Sequence, residues 1–307
     1  MQLNDKVAIV TGSGQGLGRS YALALAAAGA RVVVNDVNEA QAKQVAEEIA
    51  DAGGTAVAEP VAVGTSEAAQ QLVSRAVDEF GRLDVMVTNA GILRDKVLWN
   101  MSDEDFDAVI HVHLRGTFTC AREAMKHFRE AGEGGRLVLA GSPAGQRGNF
   151  GQTNYAAAKA GIAAMARTWA MECAKAGVTV NAVVPNAATV MTETIPFLAP
   201  YVEAMKAGEP IPSVVRRAAS FGPPEDVAGL VVFLASDASS HITGQCIGIG
   251  GDRISLWSHP TEVRSAFLDG GWSADAIAEA FDSSVGESLE TYGIPLPKIP
   301  TTQREGA

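Results

Sequence analysis

Short apolar runs alternate along this chain with amphipathic stretches, and glycine, proline or asparagine marks most of the changeovers. Residues 7–10, 32–34, 56–63, 84–88, 136–140, 178–184 and 246–249 form the runs, most of them apolar at consecutive positions. Such runs predict strands buried on both faces, the habit of a parallel sheet. Between them, helical spacing predicts helices from the glycines near residue 12 through Ala28, then over 39–51, 66–80 with Ser66 as N-cap, 154–176 and 226–236. A longer helix starts at Ser102, with a capping box to Asp105, and runs through His111, His113 and Cys120 toward Ala131. Strict alternation of strand and helix predicts an α/β fold, a doubly wound Rossmann-like parallel sheet of about seven strands with helices on both faces.

Two stretches break the rhythm. After Pro185 and Asn186, the apolar residues Met191, Ile195, Phe197, Leu198, Tyr201 and Met205 lie among Pro196, Pro200, Pro210 and Pro212. This insertion, about 187–220, reads as a lid over an apolar substrate or as an ordinary pair of core helices. Beyond Gly251 a C-terminal extension, 252–307, is expected to form an ordered arm with a short helix over 275–281 behind Ser273, then a loose proline-rich tail. The dinucleotide-binding and catalytic domain is accordingly expected over 1–251.

Composition narrows the function. A net charge of −11 disfavours nucleic acid and anionic membranes as partners. Cys120, Cys173 and Cys246 lie far apart in apolar segments, as buried thiols of a reducing compartment do, and no metal-ligand spacing occurs. The first strand begins within a few residues of the N-terminus, and the alanine-rich stretch near Ala22 to Ala30 is too short to span a bilayer. A cytoplasmic protein without a metal is expected.

The candidate chemistry gathers where strands end. Gly12, Ser13, Gln15, Gly16, Leu17 and Gly18 join the first strand to the first helix, and glycines there permit a tight turn, close approach of a phosphate and a helix N-terminus aimed at a pyrophosphate. Asp36 ends the second strand about twenty residues on, where a dinucleotide fold places an acid on the adenosine ribose. No lysine or arginine flanks it or stands at positions 13 and 15, so NAD rather than NADP is expected. Asn89, Ala90 and Gly91 end the fourth strand, to line a ligand or to brace the sheet. Ser142 follows the fifth strand. Tyr155 and Lys159, four apart on a helix, share one face, so an ammonium beneath the phenol would favour its ionised form. That spacing also arises by chance, and its context decides the matter.

Together, Thr11 to Gly18, Asn89-Ala90-Gly91, Ser142 and Tyr155-x-x-x-Lys159 resemble the short-chain dehydrogenase/reductase family over residues 1 to about 251. Finer segments are similar to the (3R)-hydroxyacyl-CoA dehydrogenase/17β-hydroxysteroid dehydrogenase branch of the multifunctional enzymes. They include Gly16-Leu17-Gly18-Arg19, Leu93-Arg94-Asp95, Val112-His113-Leu114-Arg115-Gly116, Gly148-Asn149-Phe150-Gly151-Gln152 and Pro185-Asn186-Ala187. The resemblance implies a homotetramer or dimer that interconverts a secondary alcohol and a ketone with NAD. It implies Tyr155 as acid/base, Lys159 lowering its pKa and holding the nicotinamide ribose, and Ser142 on the substrate oxygen. Asn89, Ala90 and Gly91 would line the adenosine side, with Pro185, Ala187, Ala188 and Thr189 at the nicotinamide. His113 replaces the family's usual asparagine, as a relay or as a packed core histidine. Ala62, beside Val63, replaces an acid, leaving only backbone for adenine. The substrate is expected to be apolar: a 3-hydroxyacyl-CoA, with Arg216 and Arg217 as a phosphate clamp, or a hydroxysteroid. A 3-oxoacyl-thioester reductase or another alcohol dehydrogenase is the alternative within the family. A cofactor-sensing binding module without turnover is the alternative of another class.

Overall fold

A computed structural model describes residues 2–188 and 198–295. Seven parallel strands form the sheet: β1 (Val7–Thr11), β2 (Arg31–Asn35), β3 (Thr55–Glu59), β4 (Val85–Thr88), β5 (Gly135–Ala140), β6 (Val178–Pro185) and β7 (Cys246–Gly250). The order β3-β2-β1-β4-β5-β6-β7 reverses direction between β1 and β4, so the carboxyl ends of these two strands open the crevice in which such sheets bind ligands. An eighth strand, β8 (Arg253–Trp257), extends the sheet beyond the expected seven and runs antiparallel to β7, so the C-terminal extension begins inside the sheet. Its pattern is inverted: Ile254 and Leu256 are exposed while Ser255 and Trp257 turn inward.

The central strands are mostly apolar because both of their faces are covered. Ala8, Val10, Val32, Val34, Val85 and Val87 face one core layer, with α1 (Gly16–Ala27), α2 (Glu39–Asp51) and later α10. Val7, Ile9, Val33, Met86, Leu137 and Leu139 face the other, the period of two dividing neighbours between layers. That second layer is completed by α3 (Ser66–Phe80), by the helix pair α4 (Asp103–Val109) and α5 (Gly116–Ala131), and by α7. Between β5 and α7 (Thr153–Cys173) lies α6 (Pro143–Arg147), a helix of five residues. After β6 come α8 (Ala199–Lys206), α9 (Ser213–Ala218) and α10 (Glu225–Ala235), and the extension carries α11 (Ala274–Ala280).

Three local expectations change. The cap of α3 is Thr65, whose backbone is extended and whose hydroxyl accepts the Ala68 N–H; Ser66 is already helical and accepts a bond from Arg122 Nη2. The helix from Ser102 to Ala131 is interrupted by a π-turn at Ile110–Arg115, a change of hydrogen-bond register that leaves no mark on residue periodicity. β3 ends at Glu59, so residues 60–63 are a loop. Ser102 does cap α4, accepting the Asp105 N–H at 3.2 Å. Of the expected lid, residues 198–221 bury Leu198, Val202, Ile211, Val215 and Phe221 in a small cluster of their own. Thr189, Val190, Met191, Ile195, Phe197 and the proline-rich tail lie outside the described residues. Among the described residues no helix is long and apolar enough to cross a membrane.

Candidate active site

The glycine turn is locked to the neighbouring strand end. Thr11 Oγ1 accepts the N–H groups of Asn89 and Ala90 at 3.0 and 3.1 Å, and Asn89 Nδ2 donates to the carbonyls of Thr11 and Gly12. Asn89 therefore braces β1 against β4. Gly12 has φ +62°, and a Cβ there would stand 2.6 Å from Ala90 Cα; a Cβ on Gly18 would run into the Gly12 carbonyl oxygen. The N-terminus of α1 has no side-chain cap and no acid in its first turn, so its free N–H groups face the crevice at the end of β1. Gln15, Gly16, Leu17 and Gly18 thus form an electropositive helix end shaped for an anion, which fits the pyrophosphate of a dinucleotide. Gly18→Ala is expected to weaken nicotinamide dinucleotide binding by about tenfold or more, read by titration, because the methyl must displace backbone.

Ser13 does not join this cradle. Its hydroxyl donates to Val10 O at 2.7 Å and its amide to Asn35 O at 2.7 Å, both inside the sheet. Asp36 does: its two oxygens accept the N–H groups of Gly14 and Asn38, each at 3.0 Å, which pins a carboxylate beside the turn. Ala62 is exposed and Val63 buried on the β3 side of the crevice.

Ser142, Tyr155 and Lys159 meet past the end of β5. Ser142 caps α6, accepting the Ala144 N–H at 3.2 Å, and its hydroxyl lies near enough to the Tyr155 phenol to favour ionisation of that group. A Cβ on Gly145 would lie 2.5 Å from the Lys159 carbonyl carbon, so α6 rests directly on α7. Lys159 Nζ donates to Ala140 O at 2.6 Å and sits 5.5 Å from the centre of the Tyr155 ring. The electrostatics differ from the sequence expectation. Burial raises the Tyr155 phenol above its usual value, the Ser142 hydroxyl opposes this, and the Asp95 carboxylate adds to it. Burial also pushes the Lys159 ammonium down to about 7, so protein groups alone leave the phenol protonated at neutrality.

Two groups assigned no role from sequence hold this set. Asn154 is fully buried; its Nδ2 donates to the carbonyls of Arg94 and Asp105 at 3.1 Å each, and its Oδ1 accepts the Tyr155 N–H at 2.8 Å. Asp95 accepts from Gln152 Nε2 at 2.7 Å, which places its charge beside the phenol. Both lie within segments already conspicuous in the sequence, Asn154 next to Tyr155 and Asp95 in Leu93-Arg94-Asp95.

His113 projects from the π-turn and meets Tyr155 edge-on, ring centres 5.2 Å apart. Its Nε2 contacts the N and O of Ile92 at 3.0 and 2.8 Å, and its buried Nδ1 has no partner. Burial, then the nearby Lys159 charge, pulls its pKa to about 3, so the ring is neutral. Gly91 makes room for it, since a Cβ there would strike the ring.

On the β6 side, Pro185 remains in the strand, opposite Ile249. Asn186 Nδ2 donates to Ala219 O at 2.6 Å and Ala188 N–H to Gly222 O at 2.8 Å, stitching the insertion to the sheet edge. Ala187 is buried. Arg216 is not available as a phosphate clamp: it binds Asp252 at 2.6 Å and Asp226 at 3.0 Å, anchoring α9 to the base of α10 and to the β7–β8 turn.

The chain is similar to known dehydrogenases and reductases. Residues 12–251 match the family described as enoyl-(acyl carrier protein) reductase. Over 280 residues the chain is 44% identical to hydroxyacyl-CoA dehydrogenase ChsB1 of Mycobacterium tuberculosis, covering 87% of this chain and 84% of that protein. It is 43% identical over 256 residues to the 3-oxoacyl-[acyl-carrier-protein] reductase of Synechocystis, covering 82% and 98%. It is 41% identical over 247 residues to the peroxisomal multifunctional enzyme type 2 of Mus musculus, covering 78% of this chain and 31% of that one. A solved short chain dehydrogenase from Mycobacterium avium is 37% identical and superposes with a TM-score of 0.81, covering 97% and 99% of the two chains.

Proposed function

Because this chain belongs to the short-chain dehydrogenase/reductase family and is an oxidoreductase acting on CH–OH, we propose that its reaction is the NAD-dependent oxidation of a 3-hydroxyacyl-CoA to the 3-oxo thioester. The observation that carries this reading is the convergence of Ser142, Tyr155 and Lys159 beside an uncapped glycine turn with Asp36 at its flank. The turn would hold the pyrophosphate, Asp36 the adenosine ribose and Lys159 the nicotinamide ribose. Bound nicotinamide supplies the hydride acceptor.

The chain's own groups manage the proton and the oxygen. Ser142 donates a hydrogen bond to the substrate oxygen, and Tyr155 Oη takes the hydroxyl proton. Lys159, once charged, offsets the burial that otherwise keeps the phenol protonated. His113 supports the phenol as a neutral ring rather than relaying charge. Reduction of a 3-oxoacyl thioester uses the same groups in reverse, and the similarity to 3-oxoacyl-[acyl-carrier-protein] reductases keeps that direction as the second reading. A binding module without turnover has no use for an acid/base held this closely.

A turnover screen of acyl-CoA alcohols, hydroxysteroids and simple secondary alcohols, read at the nicotinamide absorbance, tests the reading. The highest kcat/KM is expected for a 3-hydroxyacyl-CoA with NAD; preference for NADP or for a steroid overturns it. Asp36→Ala is expected to lower the NAD-to-NADP ratio of kcat/KM by about tenfold or more, since one hydrogen-bond acceptor and one repelling charge leave together. An unchanged ratio would remove Asp36 from the ribose.

A further inference from the structure

Residues 258–295 leave the sheet edge and add almost nothing to the core. All of them are at least partly exposed, and α11 buries no side chain. Phe267 and Tyr292 are 91% and 95% exposed, so apolar burial does not seat this arm. Polar tethers take its place. Among the described residues, its hydrogen bonds to the body are one from His259 to the Gly244 carbonyl, at 3.0 Å, and a set at the arm's far end on Arg147.

The Arg147 set is reciprocal. Arg147 Nε donates to Gly293 O at 2.8 Å, and Nη2 donates to Thr291 O and Thr291 Oγ1, both at 2.9 Å. The Gly293 N–H returns a bond to Arg147 O at 2.8 Å. A planar guanidinium fork suits such a clasp, and Gly293 adopts φ +82°, which it tolerates without strain.

Arg147 is the last residue of α6, and Ser142 is its cap. Five residues are too few to hold a helix by backbone bonds alone, so its ends must be fixed from outside. The Ser142 end is fixed by β5 and by packing of Gly145 on α7. The other end leads into a loop with glycines at φ +75° and +76°, Gly148 and Gly151, whose own ties come four and five residues beyond the helix, where Gly151 O accepts the Lys96 N–H at 2.8 Å and Gln152 Nε2 donates to Asp95. The clasp holds the helix end itself.

We infer that Arg147 is a positioning residue: by clasping Thr291 and Gly293 it seats α6 so that Ser142, the cap of that helix, keeps its place beside Tyr155. This rests on the Ser142, Tyr155 and Lys159 reading and adds the C-terminal arm to the catalytic architecture.

The test uses full-length Arg147→Ala and Gly293→Pro, alone and together. Proline removes the Gly293 N–H and forbids its positive φ, and the site is on an exposed arm, so the fold is retained. Hydrogen exchange is followed over residues 142–152 and 289–295, and kinetics on whichever alcohol the unmodified protein oxidises. Each variant is expected to speed exchange in both segments and to lower kcat by about tenfold, with KM for NAD unchanged within about twofold. The double variant should be no worse than the more damaged single, and Arg147→Ala should add little in a Ser142→Ala background. Additive losses, exchange that rises only in the mutated segment, or an unchanged kcat would overturn the proposal. If the unmodified protein oxidises none of the alcohols, the proposed function fails, and exchange that does not couple the two segments still overturns the clasp.

Discussion

Tyr155→Phe is expected to lower kcat by about a thousandfold or more while leaving the dissociation constant for NAD within about twofold. The substitution removes one oxygen and leaves the rest of the site in place. A phenyl ring preserves the edge contact with His113, and Asn154 Oδ1 still accepts the backbone N–H of residue 155. Ser142 keeps its cap on Ala144. What disappears is the group that takes the proton from the reacting oxygen in the proposed mechanism. Lys159 cannot replace it, since its Nζ is held on the Ala140 carbonyl, 5.5 Å from the centre of the ring. Neutral His113 is too weak a base to do so, since burial and the nearby Lys159 charge hold its pKa at about 3. Stopped-flow turnover beside coenzyme fluorescence titration separates the two quantities. A variant that keeps more than about a tenth of kcat would show that the proton leaves by another route.

Most of this architecture can be read along the chain because the strands are buried on both faces. A run such as Val7-Ala8-Ile9-Val10 has no polar position to make it ambiguous, and the two core layers share its residues alternately. The glycine turn, Asp36 and Ser142 stand out because each sits at or just past a strand end, and Tyr155 and Lys159 because a spacing of four puts them on one face of α7. The rest depends on contacts that spacing does not encode. β8 hides because its apolar residues face outward, and the π-turn under His113 because it changes hydrogen bonds rather than residue types. Ser66 and Thr65 are equally good caps on paper; only backbone angles choose between them. Arg216 looked free to meet a phosphate until Asp226 and Asp252 were seen to occupy it. Ser13 sits in the middle of the motif yet points into the sheet. Arg147 carries no local signal at all, since its partners lie at the other end of the chain.

Replacing Lys159 by methionine should show that the site is held at a cost to stability. The side chain is 4% exposed, and burial lowers its pKa from 10.5 to about 7. Between those values the unfolded chain binds a proton that the folded chain releases, so native stability rises with pH across this window. Below about pH 7 the penalty for burying the charge is fully present, on the order of a few kcal/mol, and above about pH 10.5 it is gone. Methionine has similar length and no charge, so the melting temperature of Lys159→Met should exceed that of the unmodified protein most near pH 7, and the gap should narrow toward pH 10. The hydrogen bond to Ala140 O is lost as well, which offsets part of the gain at every pH, so the slope is the sharper readout. Turnover is expected to fall by about a hundredfold in the same variant, because only the Ser142 hydroxyl then opposes the burial of the Tyr155 phenol. A gap that stays flat between pH 7 and 10 would mean that Lys159 keeps its charge at ordinary strength in the fold, and the phenol would then have a full cation beside it even before coenzyme binds.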